Sequence, residues 1–133
     1  MFDLPNSSIE KGLANTIKNT SILGRWQSIS TSPNIICDIG HNEDGIKQIC
    51  KQIKDVKYEN LHFVYGSVND KCIDKILMLL PKDAKYYFCR PDIPRGLDPI
   101  KLQRKATKED LNGKVYSSVK KTFSTAKEKA ANN

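Results

Sequence analysis

The chain has 133 residues, of which 38% are hydrophobic and 28% are charged, so it is long enough for one domain with its own core and is not disordered in composition. Its longest apolar run, Ile76–Leu80, is far too short for a transmembrane helix, and its first residues lack the basic and apolar regions of a secretory signal. The net charge of +7 (22 basic minus 15 acidic residues) would suit an anionic partner.

Apolar residues at helical spacing and short apolar runs divide the chain into alternating helices and strands. In chain order, the predicted elements are a helix over Ser7–Ile17, a linker over Asn19–Gly24, a weak strand over Arg25–Ile29, a strand over Ile35–Asp38, a helix over Asn42–Lys54, a strand over Leu61–Tyr65, a helix over Ile73–Leu80, a strand over Tyr86–Cys89, a helix over Pro99–Lys108, a strand over Val115–Ser117 and a helix over Val119–Ala130. Ser7 or Ser8 is expected to cap the first helix, and Asp98 the fifth.

This order of elements predicts an α/β fold. Strands that are nearly continuous apolar runs, separated by helices, are typical of βαβ units and of a mostly parallel sheet. We therefore expect a Rossmann-like three-layer domain with helices on both faces of the sheet. The chain stops on a helix with no strand after it, so the sheet is expected to lack its last strand.

The positive charge has two interpretations. The lysines are spread along the chain, and many fall on the polar side of helical patterns. No dense basic run occurs, and aromatic residues do not alternate with arginines. A solvated cationic surface is therefore favoured over a nucleic-acid-binding face, and the charge alone leaves both open.

Polar segments follow three of the predicted strands, at residues 38–42, 66–71 and 90–96. Ligands of open parallel sheets bind beyond the carboxyl ends of the strands, so we expect these segments at one edge. Asp38 ends a buried strand and suits a ribose hydroxyl; alternatively it caps the next helix, although Asn42 fits that cap better. His41 can donate a hydrogen bond to a phosphate or carboxylate, or simply be solvated.

The other two segments contain weaker candidates. Arg95, in a stiff loop between Pro94 and Gly96, suits a phosphate or carboxylate, with a surface ion pair as an equal alternative. Gly66 either lets a ligand approach or forms a plain turn, and Asp70 is expected to cap the next helix.

Several motifs are absent from the sequence. It contains no G-x-G-x-x-G dinucleotide loop, no G-x-x-x-x-G-K-[ST] P-loop and no nucleophile elbow. If the chain takes part in ATP chemistry, another domain must hold the phosphates.

Cysteine spacing argues against a metal site and against disulfides. None of Cys37, Cys50, Cys72 and Cys89 forms a C-x-x-C pair, and each lies in an apolar context. They are typical of buried free thiols in a reducing cytoplasm. Zinc held by Cys37, His41, His62 and Cys72 would lack the usual ligand spacing, so no metal site is predicted.

Two paired motifs carry a family resemblance. Leu23-Gly24-Arg25-Trp26-Gln27, followed by Asp38-Ile39-Gly40-His41-Asn42, resembles the Gly-Arg and Asp-Gly-Ala-His-Asn motifs of the folylpolyglutamate synthase/dihydrofolate synthase family. Four later segments agree with that family in order and spacing: Phe63–Lys71, Leu79–Lys82, Tyr86–Phe88 and Pro94–Leu97. The resemblance covers nearly the whole chain.

The resemblance implies a fragment of an enzyme. Residues 23–133 would form its Mur-ligase-type C-terminal domain, truncated at the C-terminus, and residues 1–22 a helix and linker remnant of its central ATPase domain. The family uses ATP and Mg²⁺ to join L-glutamate to dihydropteroate or folate through an acyl phosphate. Its P-loop and magnesium ligands lie in the central domain, so this chain would need that domain as a partner and would be inactive alone.

The same resemblance implies residue roles. Arg25 would contact ATP phosphate, Asp38 would contact the nucleotide, and His41 would lie near the γ-phosphate and the glutamate as the catalytic and substrate-binding residue. Arg95 would orient substrate. The chain would work in the cytoplasm, with no membrane or nucleic-acid partner.

The sequence departs from the family pattern in three places. Ile39-Gly40 replaces Gly-Ala, and Gly96 replaces the usual Ala, which is expected to loosen the loop that presents Arg95. The family also continues past the last helix with a strand that helps to bind glutamate. The alternative function is a free-standing basic α/β module that binds nucleic acid or a small anionic ligand.

Overall fold

The computed structural model describes residues 4–69 and 73–131. Its elements are α1 (Asn6–Ala14), α2 (Thr16–Thr20), β1 (Gln27–Thr31), β2 (Asn34–Cys37), α3 (Glu43–Lys54), β3 (His62–Tyr65), α4 (Ile73–Leu79), β4 (Lys85–Phe88), α5 (Pro99–Lys108), β5 (Gly113–Val115) and α6 (Val119–Ala131). Contacts within the chain divide it into two compact units, one ending at Ile39 and the other starting at Gly40.

The first unit begins with two short helices where one was predicted. The chain leaves helical geometry at Asn15, and the Thr16 hydroxyl donates to the Leu13 carbonyl at 2.8 Å, which satisfies a carbonyl at the end of α1. Pro5, and neither Ser7 nor Ser8, occupies the N-cap of α1, so that prediction was wrong. No side chain of α1 is buried.

The rest of the first unit is a hairpin. β1 and β2 pair antiparallel from Gln27 opposite Cys37 to Thr31 opposite Asn34, and the Ser32–Pro33 peptide bond in the turn is cis. The weak strand near residues 25–29 is thus confirmed. The strand at Ile35–Asp38 is also present, but its expected place in the parallel sheet was wrong, because its hydrogen-bonded partner is β1.

The second unit contains the parallel sheet. Its strand order is β3-β4-β5, with His62 beside Lys85 and Phe88 beside Val115. The predicted α/β class and the parallel pairing are confirmed. The boundaries shift by one or two residues: β4 starts at Lys85, and β5 ends at Val115.

Helices cover both faces of this sheet. Side chains alternate along each strand, so Tyr86 and Phe88 share one face, and Tyr87 and Cys89 the other. α4 and α5 pack together on the Tyr86 face, α3 packs on α4, and α6 packs on β3 and β4 from the opposite side. The three-layer prediction is confirmed, and the fully buried side chains lie in these layers: Leu77, Phe88, Leu102, Leu111 and Thr122.

Two of the helix caps expected from the sequence are present in the structure. The Asn42 side chain accepts a hydrogen bond from the Gly45 N–H at 2.8 Å, and Asp98 accepts from the N–H groups of Ile100 and Lys101. These bonds satisfy amides that have no partner inside the helix. Asp70 lies outside the described residues. No helix in the described ranges is long and apolar enough to cross a bilayer.

Candidate functional site

A tight turn over residues 24–27 presents Arg25. Gly24 has φ +69°, and a Cβ there would lie 2.6 Å from Ile39 Cγ2, so no other residue fits without a shift. The Gly24 N–H donates to the Gln27 side-chain oxygen at 2.9 Å, and the Gly24 carbonyl accepts from the Ile39 N–H at 2.9 Å. The turn is therefore held by one hydrogen bond to the first residue of β1 and by another to the residue after Asp38.

Asp38 closes this turn. Its Oδ2 accepts a hydrogen bond from the backbone N–H of Trp26 at 2.7 Å, across 12 residues of sequence. Trp26 has φ +45°, a conformation that a bulky residue rarely adopts. A bond from an N–H to a carboxylate contributes about 1.5–3 kcal/mol, enough to offset the cost of the left-handed backbone. Asp38 is not the N-cap of α3, because Asn42 takes that position.

The bond to Trp26 fixes the geometry of Arg25. Arg25 precedes Trp26 directly, and its side chain is exposed. Arg25 and Asp38, predicted as a pair, are thus brought to one corner of the first unit through the backbone of Trp26. A guanidinium on a fixed turn is suited to an anionic group such as phosphate, because little of its backbone freedom is lost on binding.

His41 lies at the start of the second unit. It is exposed and directly precedes Asn42, the N-cap of α3. The first turn of α3 carries two acids, Glu43 and Asp44, and Glu43 lies 3.7 Å from the Lys75 ammonium of α4. The start of α3 is thereby tied to the neighbouring helix.

The segments after β3 and β4 are joined by backbone hydrogen bonds. The Asn69 N–H donates to the Arg95 carbonyl, and the Leu97 N–H donates to the Ser67 carbonyl, both at 2.8 Å. Val68 and Gly96 form an antiparallel bridge between them. The prediction that these two segments meet at one edge of the sheet is confirmed, and the paired segments form one small ribbon beyond the strands.

Gly96 tightens the loop of Arg95 instead of loosening it. A Cβ at Gly96 would collide with the Pro91 carbonyl oxygen and lie 3.0 Å from Arg90 Cγ. The Gly96 N–H also donates to the Ile93 carbonyl at 2.9 Å. The expected loosening was therefore wrong: glycine here allows a close approach of two backbone segments. Gly66 acts similarly, since a Cβ there would lie 2.9 Å from the Cys89 carbonyl oxygen.

Arg95 is exposed at the tip of this ribbon. Neither Arg95 nor Arg90 forms a salt bridge with any residue in the described ranges, so the surface ion pair considered for Arg95 is not formed there. Both guanidinium groups face solvent from a loop that backbone hydrogen bonds hold in place. That arrangement favours an anion over a neutral ligand.

The three described cysteines belong to no metal-binding cluster. Cys89 is buried, and Cys37 and Cys50 are half-buried and free; Cys72 lies outside the described residues. Burial raises the pKa of the Cys50 and Cys89 thiols, which keeps them protonated near neutral pH. Among residues 4–69 and 73–131, no group of three or more His, Cys, Asp or Glu side chains could hold a metal ion.

The sequence did not predict the contacts that position these residues. Arg25 and Asp38 were identified as site candidates, but the bond to the Trp26 amide depends on a left-handed backbone that no pattern indicates. The pairing of residues 67–69 with 95–97 also depends on backbone atoms only. The one sequence feature that could have indicated this close pairing is a glycine in each of the two segments, Gly66 and Gly96.

Comparison with known proteins gives a match over most of the chain. Residues 24–133 match the protein family described as Mur ligase, glutamate ligase domain. A probable bifunctional folylpolyglutamate synthase/dihydropteroate synthase of Haloferax volcanii is 33% identical over 111 residues, covering 84% of this chain and 12% of that protein. A dihydrofolate synthase/folylpolyglutamate synthase of Escherichia coli is 29% identical over 132 residues, covering 94% of this chain and 28% of that protein.

Solved structures agree with the fold. Escherichia coli FolC in complex with DHPP and ADP superposes with a TM-score of 0.78 at 26% identity, covering 94% of this chain and 29% of that one. Mycobacterium tuberculosis folylpolyglutamate synthase complexed with ADP and AMPPCP has a TM-score of 0.86 at 19% identity, a likeness of fold. The chain thus spans less than a third of the length of these proteins.

Proposed function

The chain belongs to the Mur ligase family, glutamate ligase domain, and on that premise we propose that it works as the C-terminal part of an ATP-dependent ligase. The ligase would join L-glutamate to dihydropteroate or folate. Support comes from the names of the relatives from Haloferax volcanii and Escherichia coli, and from the DHPP and ADP bound to Escherichia coli FolC. The substrates would be available in the cytoplasm, where we expect the enzyme to work.

We also propose a division of the chain into two parts, which the family match supports. Residues 23–133 would form the C-terminal domain, and residues 1–22 would be a helix and linker remnant of the central domain. The match from residue 24 onward and the lack of buried side chains in α1 support this division. A central domain would supply the P-loop and the magnesium ligands, since no metal-binding cluster occurs in the described ranges of this chain.

The geometry at residues 24–38 is the observation that carries the proposal. Arg25 would contact an ATP phosphate, and the Asp38 carboxylate, besides fixing the turn through Trp26, would face the nucleotide. A preorganised guanidinium stabilises charge on a transferred phosphoryl group without reorganisation during the reaction. Because Arg25 lies at the junction with the proposed central domain, its contact would form only when the domains close, which couples binding to chemistry.

His41 and Arg95 would act on the glutamate side. ATP supplies a phosphoryl group that converts the substrate carboxylate to an acyl phosphate; the glutamate amine then attacks the acyl carbon, and phosphate leaves. His41 would lie near the γ-phosphate and the incoming glutamate, and Arg95 would orient a substrate carboxylate. The exposed Arg95 on its hydrogen-bonded ribbon supports this role.

The test begins with the coding sequence around this chain. We expect an adjoining reading frame that encodes G-x-x-x-x-G-K-[ST], and we expect the joined protein to ligate labelled glutamate to dihydropteroate or folate with ATP. Arg25→Ala should lower kcat/KM by about 100-fold, as loss of one charge-stabilising donor does. Arg104→Ala, an exposed arginine of α5, is the matched control and should leave activity within about twofold.

Two results would contradict the proposal. One is a joined protein that binds ATP but ligates no glutamate to either substrate. The other is an equal effect of Arg25→Ala and Arg104→Ala. The 133-residue chain alone should give no turnover, and robust turnover by that chain would overturn the division of labour.

A further inference from the structure

A cavity of about 630 Å³ lies at the opposite edge of the parallel sheet from the Arg95 ribbon. Its walls come from residues of β3, β4 and β5, from the turn before β4, from Tyr116 directly after β5, and from α6. We call it the lysine groove, and it is lined by His62, Lys82, Asp83, Ala84, Lys85, Tyr86, Tyr87, Asn112, Gly113, Lys114, Tyr116 and Lys129. The lining of the groove shares no residue with the paired segments 67–69 and 95–97, so the groove and the ribbon are separate sites.

The charge of the lysine groove is strongly positive. Four lysines from four different segments line it, namely Lys82, Lys85, Lys114 and Lys129, against one acid, Asp83. Lys82 pairs with Asp110 outside the groove at 3.5 Å. Within the described part of the chain, the other three lysines form no salt bridge. Three lysines without a salt bridge in the described ranges therefore line one cavity, which contains a single carboxylate, that of Asp83.

The floor of the groove is a row of aromatic rings. The rings of His62 on β3, Tyr87 on β4 and Tyr116 directly after β5 stack in sequence, with centroids 5.7 and 5.8 Å apart. His62 Nδ1 and the Tyr87 hydroxyl form a hydrogen bond of 2.8 Å, and Tyr87 is 4% exposed. A stacked and hydrogen-bonded floor keeps the cavity open at a fixed shape.

The pKa of His62 reflects its burial and the positive charge of the groove. Its pKa lies below the ordinary value because of burial first, and then because of the nearby ammonium groups of Lys85 and Lys129. At neutral pH the imidazole is therefore uncharged, and the positive charge of the groove resides on the lysines.

We propose that the lysine groove is a binding site for a small multivalent oxyanion, whose charged groups are held by Lys85, Lys114 and Lys129. Converging lysines around a cavity of this size suit a compact polyphosphate or polycarboxylate, because pockets of 300–1,000 Å³ hold single small molecules. A nucleic-acid face would instead spread its cations along an extended path. The site is independent of the ligase proposal and would exist in this chain alone.

Calorimetry on the 133-residue chain tests the site with two probes, inorganic tripolyphosphate and linear tri-L-glutamate. We expect saturable one-to-one binding of at least one probe. The probe that binds more tightly shows whether the site prefers phosphate or carboxylate groups. The double variant Lys85→Gln, Lys129→Gln should weaken binding by about tenfold or more, since it removes two of the three charges that hold the anion. The control Lys120→Gln, Lys127→Gln removes the same charge from the exposed side of α6 and should change affinity by less than about twofold.

A second readout is the pKa of His62, measured by NMR. Bound anion neutralises the nearby ammonium groups, so the pKa should rise on saturation, and it should also rise in the Lys85→Gln, Lys129→Gln variant without ligand. Three results would overturn the proposal: no saturable binding of either probe, an equal loss in the control variant, or a His62 pKa that does not move when a probe binds. Tighter binding of a labelled oligonucleotide that depends equally on Lys120 and Lys127 would indicate diffuse surface charge instead.

Discussion

Replacing Asp38 should release the turn that presents Arg25. In Asp38→Ala, the Trp26 N–H loses the acceptor that lies 2.7 Å away in the native turn. That bond no longer offsets the cost of the φ of +45° at Trp26. Loss of a hydrogen bond to a charged acceptor costs about 1.5–3 kcal/mol, and a left-handed non-glycine residue itself costs about 1–2 kcal/mol. Because Asp38 is half-buried, we expect about 1.5 kcal/mol, which is enough to let Trp26 relax to an ordinary backbone conformation.

The chain contains a direct probe of this change. Trp26 is its single tryptophan, so the fluorescence of that residue reports on the turn in which it lies. Urea unfolding followed by tryptophan fluorescence should move to lower denaturant in Asp38→Ala, whereas far-ultraviolet circular dichroism, dominated by the helices of the second unit, should change little.

Two variants sharpen this experiment. Asp38→Asn keeps an oxygen acceptor but removes the charge, so its effect should lie between those of the wild type and Asp38→Ala. Glu10→Ala removes an exposed acid from α1 in the same unit and should leave the fluorescence transition within about 0.5 kcal/mol of the wild type. If Asp38→Ala and Glu10→Ala give the same transition, Asp38 does not hold the turn and the proposed role of Arg25 loses its structural basis.

Four further predictions concern the second unit and one helix of the first. Gly96→Ala should destabilise the chain by about 1–3 kcal/mol in urea unfolding, because its Cβ collides with the Pro91 carbonyl; Gly12→Ala, where no atom lies within 4 Å of the new Cβ, should instead stabilise α1 by about 0.5–1 kcal/mol. Asp98→Ala should cost about 0.5–2 kcal/mol, since two amides at the start of α5 lose their acceptor. The lowered pKa of His62 means that the folded chain binds a proton less readily than the unfolded chain. Stability should therefore fall as the pH drops below the ordinary histidine pKa of 6.5 toward the lower pKa of the folded chain, and His62→Gln should remove that part of the pH dependence.

Each of these predictions has a clear contrary result. If Gly96→Ala and Gly12→Ala were both as stable as the wild type, the ribbon would accommodate the added Cβ at Gly96 without a measurable cost. An Asp98 variant as stable as wild type would mean that water replaces the cap. A wild-type profile that stays flat between neutral pH and pH 4, or one that His62→Gln does not alter, would contradict the proposed cause.

Apolar runs predicted the strands but not their partners. Leu61–Tyr65 and Tyr86–Cys89 were predicted as parallel strands and are β3 and β4, whereas the equally apolar Ile35–Cys37 pairs with β1 in a hairpin. An apolar run reports that a strand is buried on both faces, and it carries no information about which edge it pairs with. The direction of pairing depends on contacts between segments that are distant in sequence.

The buried face of α6 shows a second limit of the pattern. Helical spacing predicts a buried face of Val119, Phe123, Ala126 and Ala130. Ala126 is buried, whereas Val119 and Phe123 are 45% and 36% exposed, and the structure also buries Thr122. The Thr122 hydroxyl donates to the Ser118 carbonyl at 2.6 Å and also contacts the Cys89 thiol. A threonine with its hydroxyl satisfied inside the helix packs like an apolar residue, so a hydrophobicity pattern does not identify it as a core position.

The two candidate arginines are positioned by different means, and this difference predicts how each responds to substitution. The ribbon of Arg95 is held by backbone hydrogen bonds from Asn69 and Leu97, which survive most side-chain changes. The turn of Arg25 is held partly by side chains, since Asp38 accepts from the Trp26 N–H and Gln27 accepts from the Gly24 N–H. Loss of Asp38 should therefore affect any function of Arg25, even where Arg25 itself is intact, whereas no comparable single side chain controls Arg95. A screen of substitutions in the joined enzyme should accordingly find Asp38 as sensitive as Arg25, with the neighbours of Arg95 tolerant except at Gly96.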